Sequence, residues 1–341
     1  MMLLAPLLFL SVSLAAAISL PGGPPVGMDY LAYDSARGRI WVPAGNTGAV
    51  DVVDIATGKV RHLGGFPTKP SRRPDRPAMG PSSATVGAGA VWIGNRGDNK
   101  LCAFDADTLE RRACIQLASM PDGLAYVATT RELWVTTPAN NTIAIVNVSG
   151  KMPGPPTVMN FDGSPEGYAV DDARGIFYTN LEDKDQTLAI DVKSRKVVST
   201  WPAGCGADGP RGLAIDGVRR LLFVACTNGA VTLDMAHDGK PVGRLRTGGG
   251  VDNIDYLPRT MLLYVASAKD ATLTIAQAAP GGALTVVGTA LTAPGARNPI
   301  VDVGGTAYVE DSRGGKLIVV HPPTADSTPP AAPDVSTRPN K

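Results

Sequence analysis

An aromatic residue followed by an apolar one recurs seven times along the chain: Trp41-Val42, Trp92-Ile93, Trp134-Val135, Phe177-Tyr178, Phe223-Val224, Tyr264-Val265 and Tyr308-Val309. The steps between them are 51, 42, 43, 46, 41 and 44 residues, a mean of 44.5. Around each pair lie short apolar strands separated by turn chemistry. The pattern is plainest over 211–245, where GLAID, LLFVAC, AVTLDM and PVGRL follow one another. Such a unit cannot bury both of its faces alone, so it must stack on its neighbours. Four strands in a period of this length are the signature of β-propeller blades. Seven anchors predict an all-β, seven-bladed β-propeller of four-stranded antiparallel blades over residues 18–321. The 39 Gly and 29 Pro supply the many turns that such a ring needs.

Each unit carries the same punctuation. The first strand ends in a polar turn, as in DSARG at 34–38 and DDARG at 171–175, and the third ends in turns such as DIATGK at 54–59. Asp34, Asp54, Asp105, Asp191 and Asp216 are expected to close these turns against their own backbone, a structural role. The repeat resembles the YVTN-type β-propeller family. The residues that carry the likeness are RGLAIDGVRRLLFVACTNGAVTLDM and ARGIFYTNLEDKDQTLAIDVKSRKVVSTWPAG, with FYTN at 177–180 the most literal match. That resemblance implies a closed seven-bladed ring and leaves activity open.

The ends of the chain predict how the ring closes. The last unit has PIVDV, TAYVED and KLIVVH but no fourth strand before the chain turns Pro-rich. Ile18 to Gly23, ISLPGG, is expected to supply it, with residues 18–24 pairing into the last blade so that no open sheet edge remains. Residues 1–17 carry no charged side chain and end in Ala15-Ala16-Ala17, which fits a secretory signal cleaved before Ile18. Residues 322–341 form a Pro-rich tail expected to be disordered.

Export fits the four cysteines. Cys102 and Cys114 flank DADTLE on consecutive strands of one hairpin. If Phe104 faces Arg112, then Cys102 faces Cys114. Cys205 precedes GADGPRG and Cys226 ends LLFVAC, so the expected disulfides are Cys102–Cys114 and Cys205–Cys226. Neither pair has the CxxC spacing of zinc or thioredoxin-like sites. Residues 66–81 lengthen the first interval with Lys69, Arg72, Arg73, Arg76 and five prolines, and are expected to be a stiff surface loop.

In a propeller the first strand of each blade lines the central channel. Its entry positions here are Asp29, Ser82, Asp122, Glu166, Arg211, Asp252 and Asn298, with Arg211 the one cation among four carboxylates. This ring is the candidate site for a small-molecule or protein or peptide ligand. It can be neutralised by salt bridges, it can hold a divalent cation (Ca²⁺ or Zn²⁺) on Asp29, Glu166, Asp252, Asn253 and Asn298, or one of its carboxylates can be catalytic. A second set at the end of strand two comprises Ala44, Asn95, Thr137, Asn180, Cys226, Ser267 and Asp311. These cap the following turn or rim the same mouth.

The exclusions are firm. His62, His237 and His321 fall in different units, and no Ser-His-Asp set, C-x-x-C-H haem motif, G-x-S-x-G elbow or P-loop is present. Lys+Arg of 32 against Asp+Glu of 31 gives a net charge of +1, which offers no field for nucleic acid. The sequence therefore reads as an exported monomeric scaffold with no membrane span in its mature form, binding through its channel mouth. The alternative is a metal-dependent hydrolase resembling the gluconolactonase-like propellers.

Overall fold

A computed structural model of the chain describes residues 14–71, 73 and 76–322. Residues 1–13 of the proposed signal, Arg72 of the basic loop and residues 323–341 of the tail lie outside that set. The described residues form seven four-stranded antiparallel sheets. Six of these blades are continuous in the chain, spanning 32–63, 81–116, 124–160, 165–202, 210–246 and 254–291. Among the described residues, the helical pieces are three short 3-10 turns, Gly45–Thr47, Pro138–Asn140 and Gly206–Asp208.

The seventh blade closes the ring. Its sheet takes three strands from 297–320 and a fourth, Leu14–Ser19, from the amino-terminal segment. Ala17, Ile18 and Ser19 lie opposite Ile318, Leu317 and Lys316. Closure by an amino-terminal strand is as the sequence predicts, but the strand is Leu14–Ser19 rather than 18–24. The reason lies in composition: Pro21, Gly22 and Gly23 form a turn, whereas LAAAIS is an uninterrupted apolar run able to pair.

The seven aromatic anchors sit in the second strands and are all buried. Second and third strands are apolar on both faces because a neighbouring blade covers each face. The hydrophobic clusters accordingly lie between blades. One joins Trp41 and Val52 to Ile93 and Phe104, and another joins Tyr308 and Val319 of the last blade to Ile40 and Val42 of the first. Outer strands face water, as in Arg111–Gln116, whose residues are exposed or half-buried in alternation.

Both disulfides are present, Cys102–Cys114 and Cys205–Cys226. Cys102 faces Cys114 as expected, but Phe104 faces Arg111 rather than Arg112. A register irregularity between Cys102 and Phe104 absorbs one residue and leaves the cysteine pair aligned. In the basic loop, Lys69 and Met79 exchange backbone hydrogen bonds of 2.9 and 2.8 Å, and Phe66 is buried beneath the Arg111 guanidinium.

Candidate functional site

In four of the blades the start of the first strand and the end of the second are paired neighbours at one mouth of the channel. Pro81 lies opposite Asn95, Pro210 opposite Cys226 and Arg297 opposite Glu310. Inner strands of adjacent blades also touch there. The Tyr30 amide donates to the Ser82 carbonyl at 3.0 Å, and the Gly212 amide to the Asp252 carbonyl at 2.9 Å. The glycines that follow three ring residues permit this approach. A Cβ on Gly167 would lie 2.1 Å from the Arg211 carbonyl oxygen, one on Gly212 would lie 2.3 Å from Asn253 Oδ1, and one on Gly123 would strike the Tyr168 ring.

The ring residues do not form a single set. Arg96, absent from the sequence-level selection, places Nη2 2.8 Å from Asp29 Oδ2 and against Asp122 Oδ1. Arg211 Nη1 lies 2.6 Å from Glu182 and 3.7 Å from Glu166. Arg297 reaches Asp252 at 3.1 Å and Glu310 at 3.5 Å. Three guanidiniums are thus each shared by two carboxylates, and Arg211 is not the lone cation of the mouth. Ser82 is buried with its hydroxyl 3.5 Å from the Pro121 carbonyl, so it is not presented to a ligand. Asn298 is committed on both sides of its amide. Its Oδ1 accepts from the Asn253 amide at 2.8 Å, and its Nδ2 donates to Glu310 Oε1 at 2.8 Å and reaches toward Asp29.

The second set caps and braces. Asn95 Oδ1 accepts from the Gly97 amide while its Nδ2 donates to Asp98 and to the Pro67 carbonyl. Asn180 Nδ2 donates to the Arg211 carbonyl, and Asp311 accepts from the Gly314 amide. Thr137 donates to the Thr142 carbonyl, Ser267 to Thr247, Ala44 is buried, and Cys226 is in its disulfide. The chemistry lies one residue away, at Arg96 after Asn95 and at Glu310 before Asp311.

Beneath the rim is a cavity of about 180 Å³, lined by Asp29, Tyr30, Tyr168, Asn253, Asp255 and Asn298 with Leu31, Leu213, Ile254, Pro299 and Ile300. Tyr30 of the first blade stacks on Tyr168 of the fourth across the channel, with ring centroids 5.6 Å apart. Tyr168 is anchored from behind, its hydroxyl donating to the Leu124 carbonyl at 2.7 Å and its ring stacked on Phe177. The Asp255 carboxylate accepts from the Val301 and Tyr256 amides at 2.7 and 2.8 Å. Burial nonetheless pushes its pKa up to about 6, because the two amides only partly offset lost hydration.

Burial likewise raises Asp252, opposed by Arg297 and reinforced by Asp29. Glu310 rises well above the ordinary carboxyl range for the same first reason, with Arg297 opposing and Asp29 and Asp252 adding to the rise. Its Oε2 is buried with no hydrogen-bond partner. The proposed metal ligands are divided: Asp29, Asn253 and Asn298 share the cavity wall, whereas Glu166 lies with Arg211. Among the described residues, no group of three or more His, Cys, Asp or Glu is gathered to hold a metal ion.

Fold and mouth together define a closed seven-bladed β-propeller with a polar, salt-bridged channel entrance. The chain is similar in structure to a chain of the Mitotic Checkpoint Complex, at 13% identity and a TM-score of 0.71, covering 92% of each. It is similar to streptogramin B lyase, at 12% identity and a TM-score of 0.71, covering 90% of this chain and 96% of the lyase. Hydrazine synthase of Kuenenia stuttgartiensis matches at 13% identity and a TM-score of 0.72, with 90% and 97% covered. At such identities the likeness is one of fold. No family model matches the chain, and no curated protein matches it by sequence.

Proposed function

We propose that the protein is an exported binding scaffold that takes its ligand at the channel mouth. The observation that supports this most directly is the cavity under the rim, where apolar walls, two amides, two carboxylates and a stacked tyrosine pair converge. Such a mixture of apolar surface and a few placed polar groups is what small-molecule sites are made of. The arginines hold the rim carboxylates in pairs, which leaves Asp255 as the one cavity carboxylate held by backbone amides alone. The ring of YVTN-like repeats would serve as the rigid frame.

Two disulfides suit an oxidising compartment. Among the described residues, no helix is long and apolar enough to cross a membrane. The signal reading has a structural corollary: cleavage before Ile18 would leave only Ile18 and Ser19 of the closing strand Leu14–Ser19. Mass spectrometry of the protein recovered from an export-competent host locates the mature amino terminus.

The binding reading is tested by melting the protein against a panel of small cationic, neutral and anionic polar compounds, with Ca²⁺ and Zn²⁺ included. A ligand at about 100 times its Kd should stabilise the fold by about 2.7 kcal/mol. Ile300→Trp, which fills the cavity, should abolish that shift. Shifts that survive this substitution would place binding elsewhere. Shifts given by divalent cations alone, and lost in both Asp29→Ala and Glu166→Ala, would favour a metal centre of the lactonase type.

A further inference from the structure

We infer that the cavity beneath the mouth takes a small organic cation, an ammonium or guanidinium group seated against Tyr30 between the Asp29 and Asp255 carboxylates. This rests on the binding reading above and specifies its ligand.

The argument begins with the charges. Each rim arginine is shared by two carboxylates, so each trio keeps a formal negative charge, and Asp255 deeper in the channel has no cation beside it. No Lys, Arg or His is among the residues lining the cavity. An anion entering would meet an uncompensated negative field, whereas a cation would supply the missing charge.

The aromatic arrangement points the same way. Tyr168 is held on one side by Phe177 and on the other by Tyr30, at centroid distances of 6.2 and 5.6 Å. Tyr30 ends this stack: among the described residues no further ring and no guanidinium lies over it, and its hydroxyl makes no hydrogen bond. A ring in a partly desolvated cavity with carboxylates beside it is the setting in which cation–π attraction is strongest.

Glu310 adds a further observation. It is 1% exposed, yet its Oε2 has no partner. It stands directly behind the cavity wall, since its Oε1 accepts from Asn298 Nδ2, which belongs to that wall. Burial raises the pKa values of Asp252, Asp255 and Glu310, and a cation placed beside them would favour their ionised forms. A neutral ligand would supply no positive charge.

The test is calorimetric titration of the full chain with choline, ethanolammonium and guanidinium, beside dimethylbutanol, the uncharged isostere of choline, and dimethylbutanoate, its anionic counterpart. At least one cation should bind, and about tenfold more tightly than either isostere. Asp255→Asn and Tyr30→Leu should each weaken that cation at least about fivefold. If a variant does not fold, the cation-against-isostere comparison on the unmodified protein still decides the matter. Equal or tighter binding of dimethylbutanol or dimethylbutanoate overturns the inference, as does failure of all three cations to bind. An isostere that binds at least as tightly as every cation, and no longer binds Ile300→Trp, would overturn the cation alone and leave the mouth as a binding site.

Discussion

The two ends of the channel use the same side chains to opposite effect. Away from the mouth, Asp34, Asp171 and Asp216 sit buried in the turn after the first strand, each paired with the arginine three residues on, at 3.1, 2.7 and 2.8 Å. At the mouth, Arg96 joins Asp29 across 67 residues of sequence, and Arg211 and Arg297 likewise bridge blades. Burial by itself would raise Asp216. The Arg219 amide, the Tyr256 hydroxyl and the Arg219 guanidinium outweigh it and bring the carboxyl below its ordinary range. Asp252, Asp255 and Glu310 go the other way. A carboxylate held by its own turn has its donors assured by local geometry. One assembled across blades depends on whatever the neighbours bring, and here they bring too little. Ionisation therefore favours the fold at one end and opposes it at the other. Stability linked to Asp216 is lost as pH falls, and that linked to the mouth carboxyls is lost as pH rises.

The largest effect should come from Arg297→Ala, which strands Asp252 and the buried Glu310 together. Unfolding free energy from urea titration at pH 7 should fall by about 3 kcal/mol, and by less as pH is lowered, because burial makes those carboxyls easier to protonate. Asp255 comes next. A folded pKa of about 6 against the ordinary 3.8 means that the wild type should lose about 2 kcal/mol between pH 4 and pH 7 on this account, and Asp255→Asn should flatten that slope. Two backbone amides hold the carboxylate, and its charge adds to burial in raising the pKa of the Tyr264 hydroxyl. Glu310→Gln should stabilise the protein by about 1 kcal/mol at alkaline pH and by progressively less as pH falls, because it removes a buried charge that burial already disfavours. The smallest change should be Arg174→Ala at the far end, at or below about 1 kcal/mol, since Asp171 keeps the Arg174 backbone amide as donor. Equal costs for Arg297→Ala and Arg174→Ala would erase the contrast between the two ends.

What could be read from the sequence divides along the same line. The ring and its blade number followed from periodicity, because a strand's anchor and its turn lie within a dozen residues of one another, and closure followed from the missing fourth strand of the last unit, though the strand is Leu14–Ser19 rather than 18–24. The turn aspartates behaved as read: Asp54 accepts from the Thr57 amide, Asp105 from Asp107 and Thr108, and Asp191 from Ser194. The disulfides were legible because a hairpin and a strand end bring each pair close. The mouth was legible as a set of positions but not as a set of partners. Arg96, Glu182 and Glu310 belong to second-strand ends, and nothing local in the chain couples them to Asp122, Arg211 or Arg297. The signal that was present and unused is adjacency: a charged residue beside the strand-end Asn95 or Asp311, and Arg297 beside Asn298. The Tyr30–Tyr168 stack spans three blades and leaves no local trace.

The closing strand makes this a molecule finished only at its last moment. Ser19 meets Lys316, and Asn298 reaches Asp29 across 269 residues. During synthesis every blade but the last can settle against its neighbour while the first strand waits, exposed, for a partner not yet made. Closing so long a loop carries a chain-entropy cost that grows with its length, and contacts this distant form slowly. The same event that clasps the ring also brings Asn298, Arg297 and Glu310 to the Asp29 side of the cavity. A chain interrupted before residue 297 would then lack the last-blade side of the candidate site, so that possession of that side reports that the last blade has been made.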